Sequence, residues 1–223
     1  MLKISNISKS YLQRGLVLNN LNLEINESCS LAITGPSGSG KTTLLNIIGL
    51  LTKPDSGEVF FNGEDITKFN TDKAAFYRNQ KIGFIFQDHL LLPHLTIFEN
   101  ILLPLLANKK NRKSSEEASK YAFSLMEKTG IIELKNKFPA YVSGGEAQRA
   151  TLVRALINKP DLILADEPTG SLDSENADMM ANILVELNKE LGTTLIVVTH
   201  SENLASKMQK RMHIEKGILK SSV

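Results

Sequence analysis

The chain has 223 residues, enough for one hydrophobic core or for a core that carries a small inserted subdomain. An apolar fraction of 42% excludes an intrinsically disordered chain, and a net charge of +2 excludes the strong basic field of many nucleic-acid-binding proteins. The single cysteine, Cys29, excludes an internal disulfide, so we expect it to pack as a small apolar side chain in a reducing compartment.

The first strands of the chain predict a small antiparallel sheet at the edge of the molecule. LKISNIS, LNLEI and, later, GEVFFNGED alternate apolar with polar residues and are bounded by Asn, Gly and Asp. Tyr11 lies in the first strand-to-turn region. Its ring could stack on a nucleotide base, but strand propensity alone favours an ordinary edge-strand residue at this position.

A glycine-rich loop follows the next strand. The apolar run Ser30–Thr34 predicts a buried strand, Lys41–Leu51 predicts a helix, and the loop between them fits G-x-x-x-x-G-K-[ST] in the strand-to-helix context that this motif requires. Backbone N–H groups of such a loop surround phosphates, Lys41 places a positive charge near the outer phosphates, and the Thr42 hydroxyl can ligate Mg²⁺. A plain glycine-rich turn is the alternative. The predicted phosphate-binding residues are Gly35, Pro36, Ser37, Gly38, Ser39, Gly40, Lys41, Thr42 and Thr43.

The middle of the chain has few strand signals. GFIFQ ends at Gln87, whose amide can contact Mg²⁺ or a water, although this glutamine alone does not define a site. SSEEASKYAFSLMEKTG predicts a helix with a serine cap, an acid in the first turn and Gly130 at its end. KKNRK at Lys109–Lys113 predicts a solvated loop before this helix. We therefore predict a helical insert at about residues 88–146 in an α/β core formed by residues 1–87 and 147–223.

A second candidate phosphate-binding turn occurs in VSGGEAQRA, at Val142–Ala150, where a tight turn leads into a predicted helix. Ser143, Gly144 and Gly145 present bare backbone N–H groups at a helix N-terminus, which is a favourable place for an anion. The chain thus carries two such turns, and a single nucleotide does not need both.

Two further apolar strands end in polar residues. LILAD predicts a strand at Leu162–Asp166, and Glu167 follows it, so that two carboxylates stand at the strand end. Asp166 suits a Mg²⁺ ligand and Glu167 suits a general base for the attacking water, with an ordinary acidic strand end as the alternative. TLIVVT predicts a strand at Thr194–Thr199, and His200 follows it at the sheet edge where α/β folds bind ligands. A neutral imidazole there can hydrogen-bond a terminal phosphate.

The order of the elements predicts an α/β fold. The three strongest strands are continuous apolar runs, which indicate strands buried on both faces, as in a parallel sheet covered by helices. Helical patterns follow two of them, the second at Glu175–Leu191. The remaining histidines, His89, His94 and His213, have no such placement, and we predict no role for them.

Together these motifs resemble the ATP-binding subunits of ABC transporters over essentially the whole chain. The phosphate loop, Gln87, VSGGE, LILADE, SLD at Ser171–Asp173 and His200 occur in the family's order and at its spacing. The resemblance implies a P-loop NTPase of the RecA-like type, with a mainly parallel sheet, an N-terminal antiparallel β subdomain and an inserted α-helical subdomain. It also implies binding of ATP and Mg²⁺ and hydrolysis of the ATP.

The resemblance also gives a reason for the two phosphate-binding turns. Subunits of this family meet head to tail, so Ser143, Gly144 and Gly145 of one subunit would cap the γ-phosphate held by Lys41 of the other. Tyr11 stands at the family's adenine-stacking position. The implied site residues are Glu167, His200, Gln87 and Lys41 for catalysis, Thr42, Gln87 and Asp166 for Mg²⁺, and Asp173 at the seam of the dimer.

The implied partners are a second copy of the chain and an integral-membrane permease, with no nucleic acid. The helical insert would dock onto a cytoplasmic loop of the permease, and Gln87 would lie at the joint between core and insert. No apolar run approaches the roughly 18 residues of a membrane-spanning helix. We therefore expect a peripheral protein at the cytoplasmic face of the inner membrane.

Within the family, KIGFIFQDHLLLPHLTIFENILLPLL and SGGEAQRATLVRALINKPDLILADEPTGSLDSENA are most similar to the ATPases of lipoprotein-releasing systems. Macrolide-efflux and cell-division ATPases are the neighbouring alternatives. Val142 and Glu146 depart from the commonest signature, Leu-Ser-Gly-Gly-Gln, but leave the Ser-Gly-Gly intact, so we expect an effect on turnover rate at most.

Two other functional classes fit the sequence less well. Soluble ABC ATPases that act on ribosomes or DNA usually carry two cassettes or a long coiled-coil insertion, whereas this chain has one cassette and no basic stripe. A P-loop kinase would leave the stretch Val142–Arg149 unexplained.

Overall fold

The computed structural model of the protein describes residues 1–107 and 115–221. Its strands form two sheets that meet in the core. In chain order the strands are β1 (Leu2–Tyr11), β2 (Gly15–Ile25), β3 (Ser30–Thr34), β4 (Ser56–Phe61), β5 (Glu64–Asp65), β6 (Ile82–Ile85), β7 (Leu162–Asp166), β8 (Thr194–Val198), β9 (Lys210–Glu215) and β10 (Ile218–Ser221).

One sheet is antiparallel and the other is mostly parallel. The antiparallel sheet has the order β2-β1-β4-β5 and comes from the N-terminal part of the chain. The larger sheet has the order β10-β9-β3-β8-β7-β6, in which only the β10–β9 pair is antiparallel. The predicted α/β class, with a mainly parallel sheet and an N-terminal antiparallel sheet, is confirmed.

Helices cover the parallel sheet and fill the middle of the chain. They are α1 (Lys41–Ile48), α2 (Thr71–Lys81), α3 (Ile97–Leu106), α4 (Ser115–Lys128), α5 (Gly144–Leu156), α6 (Ser174–Leu191) and α7 (Glu202–Ser206), with 3₁₀ turns at Ile66–Lys68, Ile132–Leu134 and Pro139–Tyr141. In the part of the chain that the structure describes, none of these helices is long and apolar enough to cross a membrane.

The continuous apolar strands are buried on both faces because successive side chains point to opposite sides of the sheet. Ala32 of β3 and Val197 of β8 belong to the core under α3, α4, α5 and α6. Their neighbours Ile33 and Val198 belong to a second core between the two sheets, which also holds α1. Cys29 is buried in this second core, where it packs as predicted.

The described residues between β6 and α5 form helices and 3₁₀ turns but no strand. Gly130 adopts the left-handed conformation (φ 67°) just after α4, as a helix-ending glycine should. The predicted basic loop at Lys109–Lys113 and the serine cap next to it lie outside the described residues. The bounds of the predicted helical insert stay a prediction.

One predicted helix is too long. We expected a helix over Lys41–Leu51, but α1 ends at Ile48. The N–H of Leu51 bonds back to the carbonyl of Asn46 at 2.8 Å, which closes the end of the helix. Gly49 also passes so close to Phe84 that a Cβ there would come within 2.5 Å of the ring. The next residue, Leu50, then turns into the left-handed region (φ 58°), which ends the helix. The strand predicted at Thr194–Thr199 ends one residue early, at Val198.

Candidate functional site

Loops from the carboxyl ends of the parallel strands enclose a cavity of about 450 Å³. A larger cavity, of about 720 Å³, lies beside Lys3 and Lys210, but it has no glycine-rich loop or paired carboxylates. Chemistry rather than size therefore identifies the site. The lining residues are Arg14, Val17, Ser37, Gly38, Gly40, Lys41, Thr42, Thr43, Gln87, Asp166, Glu167, Gly170 and His200.

The glycine-rich loop is shaped by close backbone contacts. A Cβ on Gly35 would lie 2.2 Å from the carbonyl oxygen of Ile214, so no other residue fits there. Gly40 (φ 107°) precedes α1, and no side chain caps the N-terminus of that helix. The Ser39 hydroxyl is buried without a hydrogen-bond partner among the described residues. Uncapped N–H groups and an unpartnered hydroxyl at a helix N-terminus suit a phosphate.

Lys41 holds its ammonium group inside this loop. Its Nζ donates to the carbonyl oxygens of Gly35 (2.8 Å) and Pro36 (2.9 Å) and lies 3.3 Å from Nε2 of His200. Burial lowers the pKa of Lys41, and the nearby carboxylates of Glu167 and Asp166 offset part of that shift by raising it. A phosphate would supply the negative charge that the buried ammonium lacks.

Asp166 and Thr42 form a pair of oxygen donors at the floor of the cavity. The Thr42 hydroxyl hydrogen-bonds the Asp166 carboxylate; burial nonetheless raises the pKa of Asp166. Mg²⁺ in nucleotide sites takes one or two protein oxygens and completes its shell with waters and phosphates. The hydroxyl, the carboxylate and the Gln87 amide, which lines the same cavity, fit that donor set.

Glu167 is oriented by backbone contacts on both sides. Its φ of 47° is unusual for a glutamate, and its N–H donates to the carbonyl of Val198 at 2.9 Å. The backbone N–H of His200 donates to Oε2 at 3.1 Å. Oε1 lies 3.3 Å from Nε2 of His200 but without hydrogen-bond geometry, and it is buried with no other partner among the described residues. This carboxylate oxygen is therefore a hydrogen-bond acceptor that the chain itself leaves unused.

The turn Ser143–Gly145, which we call the signature turn, is built as a helix cap outside this cavity. Ser143 Oγ accepts from the backbone N–H of Glu146 (3.3 Å), and the Glu146 carboxylate accepts from the backbone N–H of Ser143 (2.7 Å). The backbone N–H of Ser143, together with its hydroxyl, donates to the Glu146 carboxylate and holds the pKa of Glu146 below its usual range. Asp173 similarly caps α6 through the backbone N–H of Asn176 (2.9 Å).

The structure brings most of the predicted residues together. Of the rest, Gly35, Pro36 and Ser39 belong to the same loop, whereas Tyr11 and the signature turn with Asp173 do not line the cavity. The Tyr11 ring is 38% exposed, and Lys9 Nζ lies 5.5 Å from its centroid. Predicted residues that line the cavity are Ser37, Gly38, Gly40, Lys41, Thr42, Thr43, Gln87, Asp166, Glu167 and His200.

Three lining residues were missed by the sequence analysis. Arg14 lies in the tight turn after Tyr11, where its N–H donates to the Tyr11 carbonyl at 3.1 Å, and Val17 lies three residues further along the chain. Gly170 approaches Glu167 from the loop after β7. The one signal in the sequence was the Arg-Gly pair, which marks a turn without indicating that the turn faces the phosphate loop.

The two glycines of the signature turn should respond differently to alanine. A Cβ on Gly145 would lie 2.5 Å from Oδ1 of Asn176, whose amide nitrogen is tied to Asp173 at 2.7 Å, whereas a Cβ on Gly144 would meet nothing within 4 Å. We expect Gly145→Ala to lower the free energy of unfolding by about 1–3 kcal/mol, as overpacking does. Gly144→Ala should change it by less than about 1 kcal/mol. Urea unfolding of both variants measures the difference, and equal midpoints would contradict the close contact.

A family model described as ABC transporter matches residues 18–170 of the chain. The chain is 47% identical over 222 residues to a protein named lipoprotein-releasing system ATP-binding protein LolD 1 from Rhodopirellula baltica, covering 98% of this chain and 96% of that protein. It is 41% identical over 220 residues to the protein named LolD from Syntrophus aciditrophicus, covering 97% of each.

Among solved structures, the chain is similar to a dimeric ATP-binding cassette in a post-hydrolysis state bound to ADP and Pi. The TM-score is 0.90 at 38% sequence identity, with 99% of this chain and 98% of the other covered. The likeness thus extends over the whole described fold and includes a nucleotide-bound state.

Proposed function

Because this chain belongs to the ABC transporter family, in which it is an ATP-binding subunit and an ATPase, we propose that it drives a lipoprotein-releasing permease as an ATP-bound homodimer. The observation that carries the shared-site part of this proposal is the position of the signature turn. Ser143–Gly145 forms a complete helix cap and yet does not line the chain's own cavity. The lipoprotein part rests on relatives of that name at 41–47% identity over nearly the full chain.

The cavity residues divide the hydrolysis of ATP among them. The loop Gly35–Thr43 and Lys41 bind the phosphates, and His200 hydrogen-bonds the terminal one. Glu167 orients the attacking water through its free Oε1 and accepts a proton from it. Thr42, Asp166 and Gln87 would hold Mg²⁺, which when bound neutralises charge on the phosphates. Enclosure by a second subunit would exclude bulk water from this site.

In the dimer, the signature turn closes the partner's site. The Ser143 hydroxyl donates to the Glu146 carboxylate in the chain alone, and a phosphate oxygen of the partner's ATP would take that proton in its place. The free N–H groups at the start of α5 add a partial positive charge. ATP then bridges two subunits in a two-fold interface, and hydrolysis removes the bridging contact.

Ser143→Arg tests this role in trans. We expect the variant to bind ATP with unchanged affinity, since Ser143 is not in the chain's own cavity. Hydrolysis should fall about a hundredfold or more, because a bulky cation would replace a phosphate donor in the closed dimer. Nucleotide titration and phosphate release measure the two effects.

The control is Thr96→Arg, which removes the equivalent capping box from α3, away from the site. It should leave hydrolysis within about twofold of wild type, because one lost cap costs on the order of 1 kcal/mol of stability and nothing in the cavity. Full hydrolysis by Ser143→Arg would refute the shared site.

The permease contact is proposed at an apolar surface beside Gln87. Leu51, Phe76, Leu90, Leu92 and Leu106 are all about half exposed or more, and we call them the docking surface. Leu51 lines a groove of about 390 Å³ together with two phenylalanine rings and Pro104 of α3. Arg154, which donates to the Leu90 carbonyl, lines the same groove. Exposed apolar side chains grouped in this way mark an interaction surface. The chain would thus act peripherally, at the cytoplasmic face of the membrane.

A pull-down from native cells tests the function as a whole. Tagged Glu167→Gln chain, solubilised in mild detergent with ATP and Mg²⁺, should retain a permease with a large extracytoplasmic domain. Proteoliposomes of the same permease with the wild-type chain should release a membrane-anchored lipoprotein when ATP is added. Recovery of a macrolide-efflux or cell-division partner instead, or of ribosomes or DNA, would overturn the lipoprotein assignment and leave the ATPase chemistry standing.

A further inference from the structure

The loop that carries Gln87, Phe86–Leu92, is held from both ends by side chains of one helix. Nε2 of Gln148 donates to the carbonyl of Phe86 at 2.8 Å, on the residue just before Gln87. Two nitrogens of Arg154 donate to carbonyls on the other side of Gln87, those of His89 (2.9 Å) and Leu90 (2.8 Å). Both donors belong to α5. Three bonds from α5 therefore bracket Gln87.

Arg154 is suited to set the orientation of this loop as well as its position. A guanidinium is planar and presents a rigid fork, so two carbonyls that it binds at once are fixed relative to each other. Among the described residues Arg154 forms no ion pair, so the carbonyl dipoles are the partners of its charge. Leu90 has a φ of 46°, which is unfavourable for leucine and needs support from its surroundings.

Helix α5 is connected to both nucleotide sites of the proposed dimer. Its first turn would contact the partner's ATP, and its side chains bond the loop that carries the chain's own Gln87. Ser143 caps its first turn, Gln148 lies in the next turn and Arg154 lies near its C-terminal end. Gln87 lines the chain's own cavity, and Leu90 and Leu92 belong to the docking surface. A displacement of α5 by a phosphate on Ser143 would be passed to Gln87 and to the docking surface through these bonds.

We infer that Arg154 is a positioning residue for ATP hydrolysis, which with Gln148 couples the signature turn of α5 to the Gln87 loop. This inference deepens the proposed function and rests on it. It predicts that Arg154→Gln lowers kcat about tenfold and leaves KM for ATP within twofold, because the fork places Gln87 and does not hold the phosphates. Arg154→Lys should resemble the glutamine variant, since an ammonium cannot fork two carbonyls.

The matched control is Arg78→Gln. Arg78 also donates to the carbonyl of a left-handed leucine, Leu50, at 2.8 Å, but in a different loop. Both variants therefore lose an arginine-to-carbonyl hydrogen bond. Only the Arg154 variant loses it in the loop that carries Gln87. We expect Arg78→Gln to keep kcat within twofold of wild type.

Hydrogen exchange followed by mass spectrometry supplies a readout that a purely structural role would not move. In the Glu167→Gln chain, ATP and Mg²⁺ should slow amide exchange at residues 86–92 and at 143–150. With Arg154→Gln added, the ATP effect should be lost at 86–92 and kept at 143–150. Gln148→Met, which keeps the side-chain volume and removes the donor, is the second variant if Arg154→Gln does not fold.

These experiments can overturn the inference and the shared site separately. If the Arg154 and Gln148 variants keep a wild-type kcat, and ATP still slows amide exchange at residues 86–92 in them, the inference is overturned and the shared site is not. An Arg78→Gln variant that loses as much kcat as Arg154→Gln would also overturn the inference. A Glu167→Gln chain that stays monomeric with ATP and shows no protection at 143–150 would instead overturn the shared site on which the inference rests.

Discussion

Replacing Glu167 with glutamine is expected to abolish ATP turnover while ATP binding is kept. The amide oxygen of glutamine can still accept the backbone N–H of His200, now at 3.1 Å from Oε2, so the shape of the cavity is preserved. What is lost is the free carboxylate oxygen, Oε1, which is buried without a hydrogen-bond partner. An amide cannot accept a proton from water. Loss of a general base costs about 10²–10⁴ in rate.

The same variant should accumulate as a dimer. ATP that is bound but not hydrolysed would keep both signature turns engaged, so the interface has no route to open. Light scattering with ATP and Mg²⁺ should report twice the monomer mass, and ADP should report the monomer. A monomer under both conditions would refute the shared site, even if turnover were lost.

Glu186→Gln is the control for this experiment. Glu186 is exposed on α6 and does not line the cavity, so the variant makes the same chemical change without touching the site. It should hydrolyse ATP within about twofold of wild type, because exposed substitutions away from a site change little. Turnover by Glu167→Gln at the level of this control would contradict the assignment of the base.

The sequence predicts the parallel strands well because their signal is local. Ser30–Thr34 and Leu162–Asp166 are continuous apolar runs between polar or glycine residues, and both strands have the predicted bounds. Burial on both faces follows from the run itself. The motif residues that follow these strands come together for the same reason, since parallel strands end at one edge.

What the sequence does not predict depends on contacts between distant residues. Phe84 packs so close to Gly49, 35 positions away, that no side chain fits there, and no helical pattern reveals this contact. The side-chain bond from Gln148 to Phe86, 62 positions apart, likewise lies inside a stretch that shows only helical character. Such bonds form only once tertiary packing has placed the helix beside the loop.

The residues that line the cavity near the β1–β2 turn were also not predictable from the sequence. The sequence singled out Tyr11, and the family resemblance assigned adenine to it, yet Arg14 and Val17 line the cavity and Tyr11 does not. Which side of a short hairpin faces the phosphate loop depends on strand register, and β1 shifts register against β2 between Lys9 and Ser10. Stacking by Tyr11 therefore stays a prediction.

Lys41→Ala is expected to remove most of the affinity for nucleotide. In wild type Lys41 is 6% exposed, and its ammonium lies among carbonyls of its own loop, close to the two carboxylates. Without it, phosphates would enter a cavity in which the two carboxyl groups of Asp166 and Glu167 face only one other cationic side chain, Arg14. A hydrogen bond to a charged group contributes about 1.5–3 kcal/mol, so we expect a ten- to hundredfold weaker Kd for ATP.

The direction of the Lys41 pKa indicates that Lys41→Ala should lose nucleotide affinity without unfolding the chain. Burial lowers that pKa more than Glu167 and Asp166 raise it, so the folded chain without nucleotide disfavours the charged form of Lys41. Nucleotide phosphates reverse the balance by adding negative charge beside Nζ. Removing the ammonium loses its hydrogen bonds to the Gly35 and Pro36 carbonyls but also removes a buried charge, so it should weaken ATP binding more than it lowers stability in urea without ATP. Calorimetric titration of ATP into Lys41→Ala, with the exposed Lys3→Ala as the control, measures the affinity, and a wild-type Kd would mean that the phosphates bind elsewhere.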